Sequence, residues 1–185
     1  MIDATHTLPE NPVQIARVGD RAVATFFDLI AIFPVFVLIS YFVAFRLNAI
    51  DNGNFELHGG PALVVISLIG LFWIVYYIIG EAVFDGTFGK HMMGLRVRSS
   101  SRTRITLSQA VIRNILRPVD AIGLYLVGFI VALRSKDNQR IGDIAGGTIV
   151  CEYKTRRGIS TLLWITWLVV MFTCWLVVLR FVANS

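Results

Sequence analysis

The sequence predicts an all-α membrane protein with three to four transmembrane helices, one of them short and re-entrant or interfacial, and a small cytoplasmic β hairpin. Two observations predict this fold class. Of the 185 residues, 56% are hydrophobic and the mean hydropathy is +0.70, which is too apolar for a soluble domain. Long uncharged runs also recur along the chain, and most basic residues lie beside these runs rather than within them.

The first apolar run, residues 22–45, contains a single acidic residue. As a helix its 24 residues extend about 36 Å, which exceeds the roughly 30 Å hydrocarbon core of a bilayer. Asp28 follows Arg21 by seven residues, so it lies about 10 Å deeper on the same helix face. Because a carboxylate is costly at this depth, we expect Asp28 to meet a cation or a proton inside the protein.

Three further apolar segments complete the predicted membrane domain. Residues 62–80 and 159–179 supply 19 and 21 uncharged residues, each enough to cross a bilayer. Residues 121–133 supply only 13, which is the length of a re-entrant or interfacial segment. If this segment does not cross, all 17 basic residues except Arg46 and Arg180 lie on one side. We therefore prefer three crossings and one dipping segment to the alternative of four crossings.

The apolar runs and the charges beside them divide the chain into three parts. We expect an N-terminal cytoplasmic tail at residues 1–20, a membrane domain at 21–153 and an additional C-terminal transmembrane helix at 154–185. The first apolar run is too long for a signal-peptide core, so we expect it to be retained as an anchor. The expected partners are the lipid bilayer and, because so few crossings form a thin bundle, a second copy or a membrane partner protein.

The arginine-rich segment after the second span predicts β structure outside the bilayer. Residues 95–98 alternate between apolar and basic, and residues 104–107 follow them after a polar turn, which predicts a hairpin. Residues 148–153 also have the composition of a strand, so they are a second possible partner for residues 94–98.

A helix is predicted to start at Ser108. Arg113 and Arg117 are spaced four residues apart among apolar neighbours, which predicts an amphipathic helix at the membrane surface. Glu81 and Asp85 have the same spacing at the end of the second predicted span. There we expect solvated interface residues, with an acidic pair as the alternative.

Several classes of function are disfavoured by what the sequence lacks. It has no Ser-His-Asp, Cys-His, phosphate-loop or metal-ligand arrangement, so we expect no enzyme, no cofactor and no metal site. Cys151 and Cys174 lack the spacing of a zinc site or a disulfide framework. The net charge of +5 is explained by orientation in the bilayer, and no nucleic-acid motif accompanies it.

Three separated motifs resemble those of a known family. They are Arg21 with Asp28 seven residues later, T-F-G-K at 87–90 through G-L-R-V at 94–97, and Q-R-I-G-D at 139–143 through G-G-T at 146–148. In this order they resemble the RDD family of small bacterial membrane proteins, named for one Arg and two Asp. The resemblance implies that Arg21 and Asp28 are the family's first-helix Arg and Asp. Asp143 would be its second Asp, with Asp120 as the alternative.

The resemblance implies a bacterial inner-membrane protein, for which transport of unidentified ligands and sodium/proton exchange have been suggested within the family. Our first hypothesis is transport of a small solute or ion, in which Asp28 binds a cation or proton and Arg21 controls its charge. Asp143 or Asp120 would complete that site. The second hypothesis is a membrane scaffold or assembly subunit in which the Arg and Asp residues form a structural ion pair. The supporting basic residues in either case are Arg113, Arg117 and Arg140.

Overall fold

The computed structural model describes residues 14–51, 54–55, 58–118, 126–153 and 157–182. Its helices are α1 Val18–Arg46, α2 Gly60–Phe84, α3 Phe88–Met92, α4 Leu107–Ile115, α5 Leu126–Arg134, α6 Ile141–Ala145 and α7 Arg157–Val182. Its strands are β1 Ile50–Asp51, β2 Asn54–Phe55, β3 Leu95–Ser99 and β4 Thr148–Glu152. The described part of the chain is therefore mostly helical, with two small two-stranded sheets.

Two of the described helices are long and apolar enough to cross a membrane. The 29 residues of α1 and the 25 residues of α2 contain stretches with mean hydropathies of 2.5 and 2.6. The 26 residues of α7 are also helical, as expected for the last apolar run. Of the predicted short segment, the part after residue 125 forms α5, while residues 119–125 lie outside the described residues.

The polarity of α1 is inverted relative to a helix of a soluble protein. Phe26 and Phe33 on its outer face are 60% and 61% exposed, whereas Arg21 and Asp28 are buried on the inner face beside Ala24. Since isolated charges inside a protein are unfavourable, the inner face must meet polar partners. An apolar outer face and a polar inner face suit a helix surrounded by lipid.

Strand β3 pairs with β4 and not with the segment that follows it. The pairing is antiparallel, from Leu95 opposite Glu152 to Ser99 opposite Thr148. The predicted hairpin between 95–98 and 104–107 is therefore wrong, and the alternative partner at 148–153 is confirmed. Residues 104–106 form no strand, because the Thr106 side chain accepts a hydrogen bond from the backbone of Gln109 and thereby caps α4.

Helix α4 begins one residue before the predicted start, and it is amphipathic in an inverted sense. Its buried side chains are Ala110, Arg113 and Asn114, whereas Ile112 and Ile115 are 44% and 57% exposed. The amphipathic character was predicted. The polar face, however, points into the protein, where it contacts α2 and α6.

Close packing against α1 fixes the short helix α3. A Cβ atom on Gly89 would overlap the carbonyl oxygen of Ala24, so only glycine allows this approach. The chain reaches α3 through Asp85, whose positive φ of 63° ends α2. The N-terminal end of the described chain is also ordered by pairing, since the Ala16 backbone N–H donates to Val150 of β4. Together these contacts place α3 against the first half of α1, and they place the residues before α1 beside β4.

Candidate functional site

Asp143 lies at the centre of a buried group of charges. Arg21 of α1 forms an ion pair with its Oδ2 atom, and Arg113 Nη2 of α4 lies 2.8 Å from its Oδ1 atom. The backbone N–H of Arg140 also donates to Oδ2, at 3.1 Å. The structure thus joins Arg21 and Asp143, which are 122 positions apart in the chain.

A second buried carboxylate, that of Glu81 in α2, lies next to the first. Lys90 of α3 forms an ion pair with Glu81 Oε1, and Arg113 Nε lies 3.1 Å from Oε2. The amide of Asn114 donates to the same Oε2 atom at 2.7 Å. Arg113 therefore bridges Glu81 and Asp143, and the two ion-pair groups form one network.

Arg117, which follows the end of α4 by two residues, extends this network. Its Nη1 atom donates to Asn114 Oδ1 at 2.8 Å, and its guanidinium carbon lies 3.3 Å from the centroid of the buried Tyr77 ring. Guanidinium groups stack favourably on aromatic faces, particularly away from water. The aromatic ring of Tyr77 in α2 thus provides a surface for the cation that follows α4.

The glycine of the R-I-G-D motif explains how Asp143 reaches Arg113. A Cβ atom on Gly142 would overlap the carbonyl oxygen of Arg113, so the first turn of α6 can lie against α4 only with glycine there. Thr148, at the start of β4, accepts a hydrogen bond from Arg113 Nη1 at 3.3 Å. The motif therefore holds the acid and its arginine together through backbone contact.

Asp28 lies apart from this network, and its carboxylate is fully buried. It accepts hydrogen bonds from the Tyr76 hydroxyl at 2.7 Å, from the Thr87 hydroxyl at 2.6 Å and from the backbone N–H of Gly89 at 2.7 Å. Within the part of the chain that the structure describes, no Lys or Arg forms an ion pair with it. We expected a cation or a proton at Asp28, and the structure gives its carboxylate three neutral donors in place of a cation.

The sequence-predicted residues are therefore only partly brought together. Arg21, Arg113 and Asp143 meet, Asp28 lies separately, and Asp120 falls outside the described residues. Arg117 and Arg140 line the same small cavity as this trio.

Sequence reasoning missed Glu81 as a site residue, together with Lys90 and Asn114. Glu81 is fully buried, so the expectation of a solvated residue is wrong. The reason is that its cationic partners come from α3 and α4, which pack over the end of α2. Lys90 in the T-F-G-K motif was a usable signal. A lysine that packs against an apolar helix is unfavourable unless a carboxylate forms an ion pair with it. Asp85 behaves differently, because it contacts Arg98 at 2.7 Å outside this cluster.

The buried charges shift the pKa values of two members of the network, Asp143 and Lys90. Burial raises the pKa of Asp143, but Arg21, Arg113 and Arg140 outweigh burial and hold that pKa below its usual range. Burial lowers the pKa of Lys90 to about 8, against the opposing effect of the Glu81 carboxylate. Asp143 is therefore held in its charged form, whereas burial makes the charged form of Lys90 less favourable.

Two cavities adjoin these residues. The first measures about 20 Å³, which is enough for roughly one water molecule. Its lining consists of Arg21, Thr25, Lys90, Arg113, Asn114, Arg117, Arg140 and Asp143.

The second cavity measures about 520 Å³, and its lining is almost entirely apolar. Its lining consists of Phe72, Val75, Tyr76, Ile79, Gly80, Phe84, Gly86, Thr87, Phe88 and His91. Among the described residues, no group of three or more His, Cys, Asp or Glu could hold a metal ion.

Comparison with known proteins agrees with the motifs. The model of the RDD family matches residues 15–147, a range that includes Arg21, Asp28 and Asp143 as well as Asp120. The chain belongs to the RDD family. No curated protein and no solved structure matches it. Membership of the RDD family, together with the apolar helices α1 and α2, indicates a membrane protein.

Proposed function

We propose that this RDD protein is a non-enzymatic, multi-pass scaffold or assembly subunit of a bacterial inner membrane, with its N-terminus in the cytoplasm. The observation that carries this proposal is the position of Arg113, which contacts both buried carboxylates, Glu81 and Asp143. Arg21 joins the same network from the first membrane helix. In this proposal, the ion pairs are a structural latch that holds the cytoplasmic layer beneath α1 and α2.

The latch is supported by the number of elements that it ties together. Glu81 belongs to α2, Lys90 to α3, Arg113 to α4 and Asp143 to α6, while Arg21 extends from α1. Removing one partner of a buried ion pair leaves an uncompensated charge, which costs about 3–5 kcal/mol. A network of this kind specifies one arrangement of the short cytoplasmic helices.

The same geometry argues against a transport path through these ion pairs. The adjoining cavity has room for roughly one water molecule. Both oxygens of Asp143 are engaged by arginine side chains. A translocated cation would have to displace these arginines, and the protein would then lose its latch.

Exposed basic residues are the proposed docking contacts for a partner with an acidic surface. Arg102 and Arg104, in and after the turn that follows β3, are exposed, and the Arg104 side chain is 70% accessible. Arg134 and Lys136, at the end of α5, are exposed as well. Charges on a surface steer an oppositely charged protein toward it.

Photocrosslinking in cells tests the docking proposal. A photoreactive amino acid at position 102 or 136 should give a discrete adduct with a second protein, and one at position 33 on the apolar face of α1 should not. The charge reversal Arg104→Glu should reduce the adduct from position 102. Equal adducts at all three positions, or no protein adduct at any of them, would contradict a docking surface.

Ion coupling at Asp28 is the second candidate, and one observation favours it. The carboxylate is fully buried, and two of its donors, Tyr76 and Thr87, also line the cavity of about 520 Å³. A ligand or proton entering that cavity would reach Asp28 through these hydroxyl groups.

Purified protein in liposomes separates the two candidates. Ion coupling predicts a sodium- or proton-driven flux that Asp28→Asn abolishes and that Asp137→Asn, a change in the loop after α5, retains. The scaffold predicts no such flux in the unmodified protein. A flux that is unchanged by Asp28→Asn would remove Asp28 from any transport mechanism.

A further inference from the structure

The small cavity beside Asp143 is lined mainly by cations although it lies inside the protein. Five of its lining side chains are cationic, one is anionic and two are neutral. The cations are Arg21, Lys90, Arg113, Arg117 and Arg140, the anion is Asp143, and the neutral residues are Thr25 and Asn114. The side chains that line the cavity thus include more cations than anions.

The two carboxylates beside this cavity, Glu81 and Asp143, each form ion pairs with two cations. Arg21, Lys90 and Arg113 are all buried, and their ion pairs within the described chain involve only Glu81 and Asp143. Buried cations in a medium of low dielectric repel one another strongly unless an anion lies between them. A third negative charge at the cavity would therefore relieve repulsion that the two carboxylates leave.

Lys90 also has hydrogen-bonding capacity to offer. An ammonium group has three N–H donors, and the contact that the structure gives this one is with Glu81 Oε1. Lys90 is only 4% exposed, so its other donors cannot turn to bulk water. An acceptor inside the cavity would satisfy them.

The size of the cavity limits what that acceptor can be. A volume of about 20 Å³ corresponds to roughly one water molecule, so the space suits a small ion better than a group with four oxygens such as sulfate or phosphate. Cations are excluded by the charge of the lining.

We propose that this cavity binds a small monovalent anion, a halide such as chloride, between Lys90, Arg113 and Arg117. The bound ion would complete the charge balance of the ion pairs around Arg113, and it would make the stability of the protein depend on the surrounding anion. This site is additional to the docking surface and to Asp28, so it is independent of either proposed function.

The proposed site also predicts a pH dependence, because Lys90 is the cavity cation closest to losing its proton. Burial lowers its pKa to about 8, Glu81 of α2 opposes this, and Arg113 of α4 and Arg117 just after α4 reinforce it. The Tyr77 ring of α2 also faces the ammonium group. A bound anion favours protonated Lys90, so by linkage anion binding should weaken as the pH rises above about 8.

The test uses the full chain purified in detergent, with chloride replaced by gluconate at constant ionic strength. Chloride and bromide should raise Tm by roughly 2–4 °C relative to gluconate, because a ligand that binds only the folded state stabilises it. Lys90→Met should lose this shift. The matched control Arg98→Met removes one positive charge at the ion pair with Asp85, outside the cavity, and should keep the shift.

Crystals grown in bromide provide a second readout that does not depend on the variants folding. An anomalous peak beside Lys90 and Arg117 would support the site even if Lys90→Met is too unstable to purify. The proposal is overturned by a cavity without bromide, which would then hold only water. It is equally overturned by a Tm shift that Lys90→Met retains, or by a larger shift with sulfate or phosphate than with chloride.

Discussion

At the scale of single residues, Asp143 has the strongest predicted effect on stability. Its two oxygens meet Arg21 and Arg113, so Asp143→Asn leaves the buried Arg21 without its charged partner and Arg113 with Glu81 alone. We expect the free energy of unfolding to fall by about 3–5 kcal/mol. Unfolding in detergent micelles measures this, with Asp137→Asn as the control because Asp137 forms no ion pair within the described residues. Equal stability of both variants would contradict the latch.

The same carboxyl predicts a loss of stability in acid. Despite burial, the surrounding arginines hold the pKa of Asp143 below its usual range, so the unfolded chain takes up a proton near pH 4 while the folded protein does not. The stabilisation is present above about pH 4 and is lost as the pH falls below it. Unfolding measured from about pH 6 to pH 3 should therefore show a steeper loss for the unmodified protein than for Asp143→Asn. Parallel curves would contradict this assignment.

At the scale of secondary-structure elements, two glycines determine how closely the short helices α3 and α6 approach their neighbouring helices. Gly89 places α3 against Ala24 of α1, and Gly142 places α6 against Arg113 of α4. The approach of α3 delivers Lys90 to Glu81 and the backbone N–H of Gly89 to Asp28. Each glycine thus connects a motif of the sequence to a polar contact inside the protein.

Gly89→Ala should therefore be much more damaging than alanine at a glycine with space around it. The added methyl group would overlap the Ala24 backbone, which forces α3 away from α1 and destabilises the protein by about 2 kcal/mol or more. Gly70→Ala in α2 is the control, since nothing lies within 4 Å of its Cβ position. We expect it to be neutral or slightly stabilising in the same unfolding experiment. Similar effects of the two changes would show that α3 does not pack against α1 in this way.

The elements themselves were largely predictable, whereas their partners were not. Length and hydropathy identified α1, α2 and α7, and the composition of 95–98 identified β3. Local sequence favoured the nearer partner at 104–107, but strand pairing is decided by contacts across the whole chain, and Thr106 instead caps α4. The resemblance to the RDD family indicated Arg21 and Asp143, while burial of Glu81 depends on helices that pack over it.

At the scale of the whole molecule, α1 and α4 bury charged side chains and expose apolar ones. Phe33 of α1 and Ile115 of α4 are both exposed, while Arg21 and Arg113 of the same helices are buried. This arrangement is stable only if the apolar surfaces are covered by lipid or by another protein. It agrees with the proposal that the short helices form a layer at the inner surface of the membrane, joined to α1 and α2 by ion pairs.

The proposed orientation makes a prediction about accessibility in intact cells. With three crossings and a dipping segment, a cysteine at position 138 lies in the cytoplasm and one at position 185 lies outside. A membrane-impermeant thiol reagent should therefore label Ser185→Cys and leave Asn138→Cys unlabelled until the cells are opened, in a chain with Cys151 and Cys174 replaced by serine. Labelling of Asn138→Cys in intact cells would contradict the orientation.

The most direct measurement of the latch is a double-mutant cycle between Arg21 and Asp143. The free energy of unfolding is determined in micelles for the unmodified protein, Arg21→Gln, Asp143→Asn and the double variant. Direct contact within one buried network predicts a coupling energy of about 1–3 kcal/mol, so the double variant should be less destabilised than the sum of the single changes. Additivity within about 0.5 kcal/mol would mean that the two residues do not interact, and it would contradict the account of the RDD residues as a structural ion pair.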